Sequence, residues 1–241
     1  MNQPARVRRM ASDVVVSEPG LLRLGDEPAV PWYFEQRRSL LGEVGYARAK
    51  RLLDIVVTLA VLPFVVVVLL LCVIAIRIDS PGPVFFTQLR TGQHGHRFRM
   101  YKFRTMVKDA EALKETYAHL NILPAPDFKI VDDPRVTPLG RFMRRTSLDE
   151  LPQVFNVLKG EMSLVGPRPT SFSARTYDVW HTTRLEVPPG LTGLWQVKGR
   201  NETTFDERLR LDIEYVRTMS LWVDLKILFL TVASVLRRSG A

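Results

Sequence analysis

The residues best suited to chemistry lie together in Arg144-Arg145-Thr146-Ser147-Leu148-Asp149-Glu150-Leu151-Pro152-Gln153. Neighbouring side chains on a helix diverge by about 100°, so Asp149 and Glu150 must do different jobs. Pro152 suits the first turn of a helix and disrupts its interior, which puts the acidic pair at or just before a helix N-terminus. There the unpaired N–H groups and the macrodipole favour ionised carboxylates, and an ionised, positioned Asp can attack phosphorus. Arg144, Arg145 and Arg168 are close in sequence and suit an anionic substrate such as a diphosphate. A plainer reading competes, because Ser147-x-x-Glu150 is also a capping box in which Glu150 reaches back to the N-cap backbone.

The elements that must position this pair begin with an apolar run. Ile55 to Ile76 carries no charge over 22 residues. As a helix it would be about 33 Å long, enough to cross the hydrocarbon core of a bilayer. Pro63 lies within it and deletes the hydrogen bond to the Leu59 carbonyl, which predicts a kink. Arg48, Lys50 and Arg51 precede the run, and Arg77, Arg90, Arg97, Arg99, Lys102 and Arg104 follow it. Basic residues on both flanks favour the cytoplasmic side for both ends, which a straight span cannot satisfy and a hairpin broken at Pro63 can, with an ordinary kinked span as the competing reading.

The 241-residue chain has a formal net charge of +9, mostly outside the apolar run. Beside a membrane segment this surplus points to anionic lipid and nucleotide phosphates as partners rather than nucleic acid. Cys72 is the only cysteine, so neither an intramolecular disulfide nor a thiolate metal site can form. The segment Met1 to Met10 is charged with no apolar core after it, unlike a secretory signal.

The predicted organisation has three parts: a flexible extension over 1–45, a reentrant membrane hairpin over 46–78, and a cytoplasmic domain with interfacial helices over 79–241. Asp79-Ser80-Pro81-Gly82-Pro83 is a turn cluster, followed by extended segments around Gly92-Gln93-His94-Gly95. His94-x-His96 has metal-ligand types but sits between glycines in a turn. Phe98 and Met100 share one face and Arg97 and Arg99 the other. Lys102 and Arg104 could serve either lipid headgroups or substrate phosphates. An amphipathic helix is predicted over 107–120, a charged helix over 204–219, and an interfacial helix over 220–236. Arg168 stands between Pro167 and Pro169 on a stiff extended backbone.

Six segments in order resemble the bacterial sugar transferases, the monotopic phosphoglycosyl transferases that act on polyprenyl phosphate. They are Lys50-Arg51-Leu52-Leu53-Asp54, Asp79 to Phe86, Lys102-Phe103-Arg104-Thr105-Met106, Ser147 to Gln153, Val165-Gly166-Pro167-Arg168-Pro169, and Pro189 to Val197. The resemblance covers about residues 46–236. It implies an α+β monotopic membrane protein with a reentrant helix-break-helix and a mainly helical catalytic domain, on the cytoplasmic face of the bacterial inner membrane. It implies a ping-pong reaction at a dyad of Asp149 and Glu150, with Mg²⁺ held at Asp149. A UDP-sugar would leave its phosphosugar on Asp149, UMP would depart, and polyprenyl (undecaprenyl) phosphate would take up the phosphosugar, as a first step in exopolysaccharide, capsule, O-antigen or glycoconjugate assembly.

The substrate-binding set expected from this resemblance is Lys102, Arg104, Arg144, Arg168, Gln196 and Arg200, with Pro63 as the membrane break. Membrane lipids are further partners, and a homodimer is compatible with the sequence. Relatives usually place Ser before the breaking proline, and Leu62 stands there, so the hairpin would need Thr58 or lipid-side packing to compensate. Larger members carry additional N-terminal spans that residues 1–45 could not supply. The competing class is a noncatalytic membrane-anchored module that binds anionic lipid, and the presence of both dyad acids argues against it.

Overall fold

The computed structural model describes residues 44–122, 130–198 and 204–236. Apart from its last two residues, the extension predicted over 1–45 lies outside them, as does Arg200. The described chain is mainly helical. It starts with α1 (Val44–Asp79), followed by a hairpin of β1 (Phe85–Thr91) and β2 (Arg97–Phe103). Then come α2 (Pro138–Thr146), a 3₁₀ turn (Leu148–Gln153), α3 (Val154–Lys159) and β3 (Ser163–Val165). A 3₁₀ segment (Val179–Glu186), β4 (Gly190–Thr192), α4 (Leu194–Lys198), α5 (Phe205–Thr218) and α6 (Leu221–Leu236) complete it.

Helix α1 is helical throughout its 36 residues, with Pro63 inside it. Lys50, Asp54, Thr58, Val65, Leu69, Cys72 and Ile76 are buried at spacings of three, four and seven, so they form one stripe along the helix. The other faces are apolar and open: Leu52, Phe64, Leu71 and Ile78 are 63%, 74%, 62% and 81% exposed. An α-helix normally turns its apolar face inward, whereas this one buries Lys50 and Asp54 and exposes leucines, as suits a lipid-facing anchor. Asp54 Oδ1 accepts from the Leu164 N–H, and the Arg51 guanidinium donates to the Val157 and Leu158 carbonyls. Farther along, Val65, Leu69, Cys72 and Ile76 pack with Val84, Phe103, Met143 and Val154. Both halves of α1 therefore rest on the same polar body. Thr58 Oγ1 is buried without a hydrogen-bond partner among the described residues, so none of them shows it relieving the backbone group freed by Pro63.

The hairpin forms as predicted, with Phe86 opposite Lys102 and Gln88 opposite Met100. Phe98 and Met100 enter the core, while Arg99 is exposed. The helix expected over 107–120 is replaced by hydrogen-bonded turns ending in a 3₁₀ turn at Ala118–Leu120. Its amides bond carbonyls three or four residues back, and Ala110 is its only buried residue. Without an apolar face to pack, so short a segment has little to hold it as a regular helix.

The predicted C-terminal helices are present. Thr204 caps α5 in a capping box with Glu207. Strands β3 and β4 pair in parallel, and Gly166 and Gly190 allow the close approach: a Cβ on Gly190 would lie 2.1 Å from the Gly166 nitrogen.

Candidate active site

Thr137 N-caps α2 through Gly140 N–H, with Pro138 in the first turn. Gly140 lets this helix lie directly on the end of β2, since a Cβ there would be 2.0 Å from the Thr105 carbonyl oxygen. That contact brings Arg144 Nε within 2.9 Å of Thr105 Oγ1. Ser147 then takes a left-handed conformation, with φ of 59°, and the chain turns into the 3₁₀ segment carrying the dyad. Asn156 fastens this segment to β2. Its fully buried amide accepts from Tyr101 N–H and donates to the Arg99 carbonyl and to Glu161.

The capping-box reading of Glu150 does not hold. Ser147 makes no side-chain cap bond, and the Glu150 carboxylate points to two cations instead. Lys102 Nζ donates to Glu150 Oε1 at 2.7 Å, and Arg168 donates to both oxygens, at 2.5 and 3.2 Å. Burial alone would raise the Glu150 carboxyl, but Arg168 and Lys102 outweigh it and hold the group well below the usual carboxylate range.

Asp149 is different. It is 8% exposed, has Lys102 Nζ at 4.0 Å, and accepts no hydrogen bond among the described residues. Burial pushes its carboxyl above the ordinary value, Lys102 opposes the shift, and Glu150 adds to it. Consecutive carboxylates thus differ in kind. One is neutralised in an ion-pair cluster, and the other is poorly solvated and faces open space.

That space is a cavity of about 880 Å³. Lys102, Arg104, Arg144, Asp149, Glu150, Arg168 and Gln196, all the described members of the sequence-predicted set, line it. The structure also gives Arg104 a second task. Its guanidinium donates to the Ser80 and Pro81 carbonyls, each at 2.7 Å, and fastens the turn by which the chain leaves α1. Sequence reasoning missed Thr105, Gln88 and Trp195, which also line the cavity. Gln88 and Arg90 share one face of β1, an alternation visible in the sequence, but nothing local said which face would meet Asp149.

Arg168 is held from behind. Arg184 donates to its carbonyl oxygen at 2.5 Å and, through Nε, to Asp212 at 3.0 Å. Arg184 and Asp212 are both buried.

A mainly helical domain carries a long apolar helix and an acidic pair in a cation-lined cavity. Comparison with known proteins makes this specific. The bacterial sugar transferase profile matches residues 45–238, and the chain belongs to that family. It is 47% identical over 197 residues to the galactosyl transferase CpsE of Streptococcus agalactiae, covering 80% of this chain and 43% of the relative. It is 52% identical over 165 residues to an undecaprenyl-phosphate galactose phosphotransferase of Salmonella typhimurium, covering 66% and 35%. Against the exopolysaccharide production protein ExoY of Rhizobium meliloti it is 35% identical over 216 residues, covering 88% and 95%. The chain thus spans less than half of the first two relatives and nearly all of the third.

Proposed function

We propose that this chain is a phosphoglycosyl transferase that moves a sugar-1-phosphate from a UDP-sugar to polyprenyl phosphate. The observation that carries this reading is Asp149: a buried carboxylate without a hydrogen-bond donor among the described residues, facing a cation-lined cavity beside a fully paired Glu150. Hydrogen bonds would quench a nucleophile, and Asp149 has been left without them. The names of relatives point the same way, since that of the Salmonella protein joins undecaprenyl phosphate to galactose.

In this reading an Asp149 oxygen attacks the β-phosphorus of the UDP-sugar. The bond from that phosphorus to the bridging oxygen breaks, and UMP leaves with the electron pair. An oxygen of polyprenyl phosphate then attacks the same phosphorus, and the Asp149 carboxylate departs to give the polyprenyl diphosphate sugar. Lys102, Arg144 and Arg168 offset negative charge on the phosphates, while Glu150 holds the first and last of these in place.

Among the described residues no group of three or more His, Cys, Asp or Glu gathers, so a wholly protein-made metal cage is not the form to expect. Asp149, whose hard oxygens accept no hydrogen bond among the described residues, is the residue that would hold a Mg²⁺. Such an ion would neutralise charge that develops on the phosphates.

The test is UMP release from purified protein given a panel of UDP-sugars. One equivalent of UMP per enzyme without acceptor, turnover on adding polyprenyl phosphate, and a phosphosugar adduct at Asp149 by mass spectrometry are the expected results. Release of UDP instead refutes the mechanism.

The same reading places both ends of α1 on the cytoplasmic face, with the chain turning back at Pro63. What supports it is that residues on both sides of Pro63 are buried against the same domain: Asp54 accepts from Leu164 N–H, and Val65 to Ile76 pack with Val84, Phe103 and Met143. On a Cys72→Ala background, Gly45→Cys and His96→Cys should both resist an impermeant thiol reagent in intact cells and react after lysis. Labelling of position 45 from outside would refute the hairpin.

A further inference from the structure

We infer that Gln88 and Arg90 form the seat for the phosphate of the lipid acceptor, with Gln88 as the donor and Arg90 as the residue that orients it. This rests on the transfer reading above and adds a subsite to it.

Successive residues of a strand alternate between faces, so Phe86, Gln88 and Arg90 form one row along β1. Strand β1 begins six residues after α1 ends, which puts Phe86 at the membrane end of the row. Phe86 is 46% exposed and lines the cavity, as does Gln88. Arg90 is partly buried and close enough to feel Arg168 and Glu150 electrostatically. The row therefore passes from an open aromatic ring, through an amide, to a cation beside the dyad.

Arg90 Nη2 donates to Gln88 Oε1 at 2.5 Å. A guanidinium has no acceptor, so the carbonyl oxygen of the amide must face it. The NH₂ group of Gln88 is left as a donor with no acceptor among the described residues. Arg90 Nε is buried without a partner among the described residues, and burial followed by the nearby Arg168 lowers its pKa to about 10. Glu150 favours this cation while burial, Arg168 and Arg97 oppose it, and an anion in the cavity would favour it further.

The charge agrees in sign: the cavity lining carries more cations than carboxylates, which suits a phosphate anion. A nucleotide sugar has no need of an apolar neighbour at its phosphate. A lipid phosphate does, and the membrane-side approach to Gln88 runs past Phe86.

The two half-reactions separate this assignment from its alternatives. In detergent, Gln88→Leu should raise the KM for undecaprenyl phosphate about tenfold or more, as expected for loss of a hydrogen bond to a charged group. The loss in the UMP burst rate should stay several-fold smaller. Gln88→Glu keeps the shape and the contact with Arg90 but turns an acceptor toward the phosphate, so its acceptor KM should exceed that of Gln88→Leu. Arg90→Leu should resemble Gln88→Leu, and Arg90→Lys, which can still donate to Gln88, should recover part of the loss. A burst that falls as far as acceptor KM rises, or Gln88→Glu with wild-type acceptor KM, overturns the assignment. A wild-type protein that gives no UMP burst overturns the transfer reading itself.

Discussion

Asp149 and Asp224 are the same side chain, both buried, put to opposite uses. Asp224 is 1% exposed and surrounded by donors: Lys50 Nζ at 2.7 Å, Tyr215 OH at 2.7 Å and Tyr46 OH at 3.3 Å. It fastens the start of the membrane helix α1 to α6, and neither of its oxygens is left over. Asp149 is 8% exposed and has one cation at 4.0 Å and no hydrogen bond among the described residues. A buried carboxylate normally collects donors, so the one without them is held at a cost to folding, which supports its proposed role as nucleophile.

The sharpest way to break the comparison is to neutralise each in turn. Asp149→Asn should reduce turnover by at least about 10³-fold, because an amide cannot serve as the phosphorus nucleophile. It should also melt at or above the wild-type temperature. The sign follows from its raised carboxyl. Below the unfolded value of 3.8 both states are protonated and no penalty exists; the penalty grows as pH rises and is complete above the folded value. Removing the charge relieves it. UMP release and a thermal melt at pH 7 check both halves.

Asp224→Ala should do the reverse, leaving Lys50 buried without its partner at a cost of about 3–5 kcal/mol. Replacing the pair together, as Lys50→Met with Asp224→Leu, should recover most of that stability. Denaturant unfolding in detergent measures it. A mild effect of Asp224→Ala would mean that water reaches the pair and that the two aspartates differ less than their surroundings imply.

Much of this contrast was legible in the sequence, and its limits are physical. Pro152 after two acids located the dyad near a helical N-terminus, and Arg168 between prolines was a good candidate because its backbone is stiff. The choice between cap and active site for Glu150 was not legible, since it depends on Lys102 and Arg168 arriving from 48 and 18 residues away. The partnership of Lys50 with Asp224 spans 174 residues and has no local signature. The segment 107–120 looked amphipathic, but only Ala110 of it is buried, so its pattern finds no surface to pack on. Gln88 was missed because an amide acquires a role only when a distant fold decides which side of the strand meets the cavity.

Glu150 sharpens the comparison from the other side. Its folded carboxyl lies below the ordinary value, so its stabilising effect is present above about pH 4.5 and is lost as pH falls through the folded value. Glu150→Gln should therefore lower the melting temperature at pH 7, unlike Asp149→Asn. It should also reduce turnover by about 10²-fold, because Lys102 and Arg168 lose the group that holds them. A mere helix cap would show the stability loss, about 1 kcal/mol, with little change in turnover.

The smallest effect is also the most direct probe of how the two acids are coupled. In the wild type the acid limb of the UMP burst rate should lie above the ordinary aspartate value, since the nucleophile must be ionised and burial resists this. The Glu150 charge contributes to that resistance, while Lys102 opposes it. Glu150→Gln removes the repelling charge and frees Lys102, now 4.0 Å from Asp149 Oδ2, to act on Asp149 alone. Both changes favour the ionised nucleophile, so the acid limb should move to lower pH although the plateau falls. The measurement is the burst rate across pH 4 to 8, taken in single-turnover mode so that acceptor chemistry does not intervene. A limb that stays in place would show that desolvation alone sets the Asp149 pKa. A limb that moves upward would mean that Lys102 and Arg168 had withdrawn once their counterion was gone, leaving the ion-pair cluster, rather than burial, as what keeps cations beside the nucleophile.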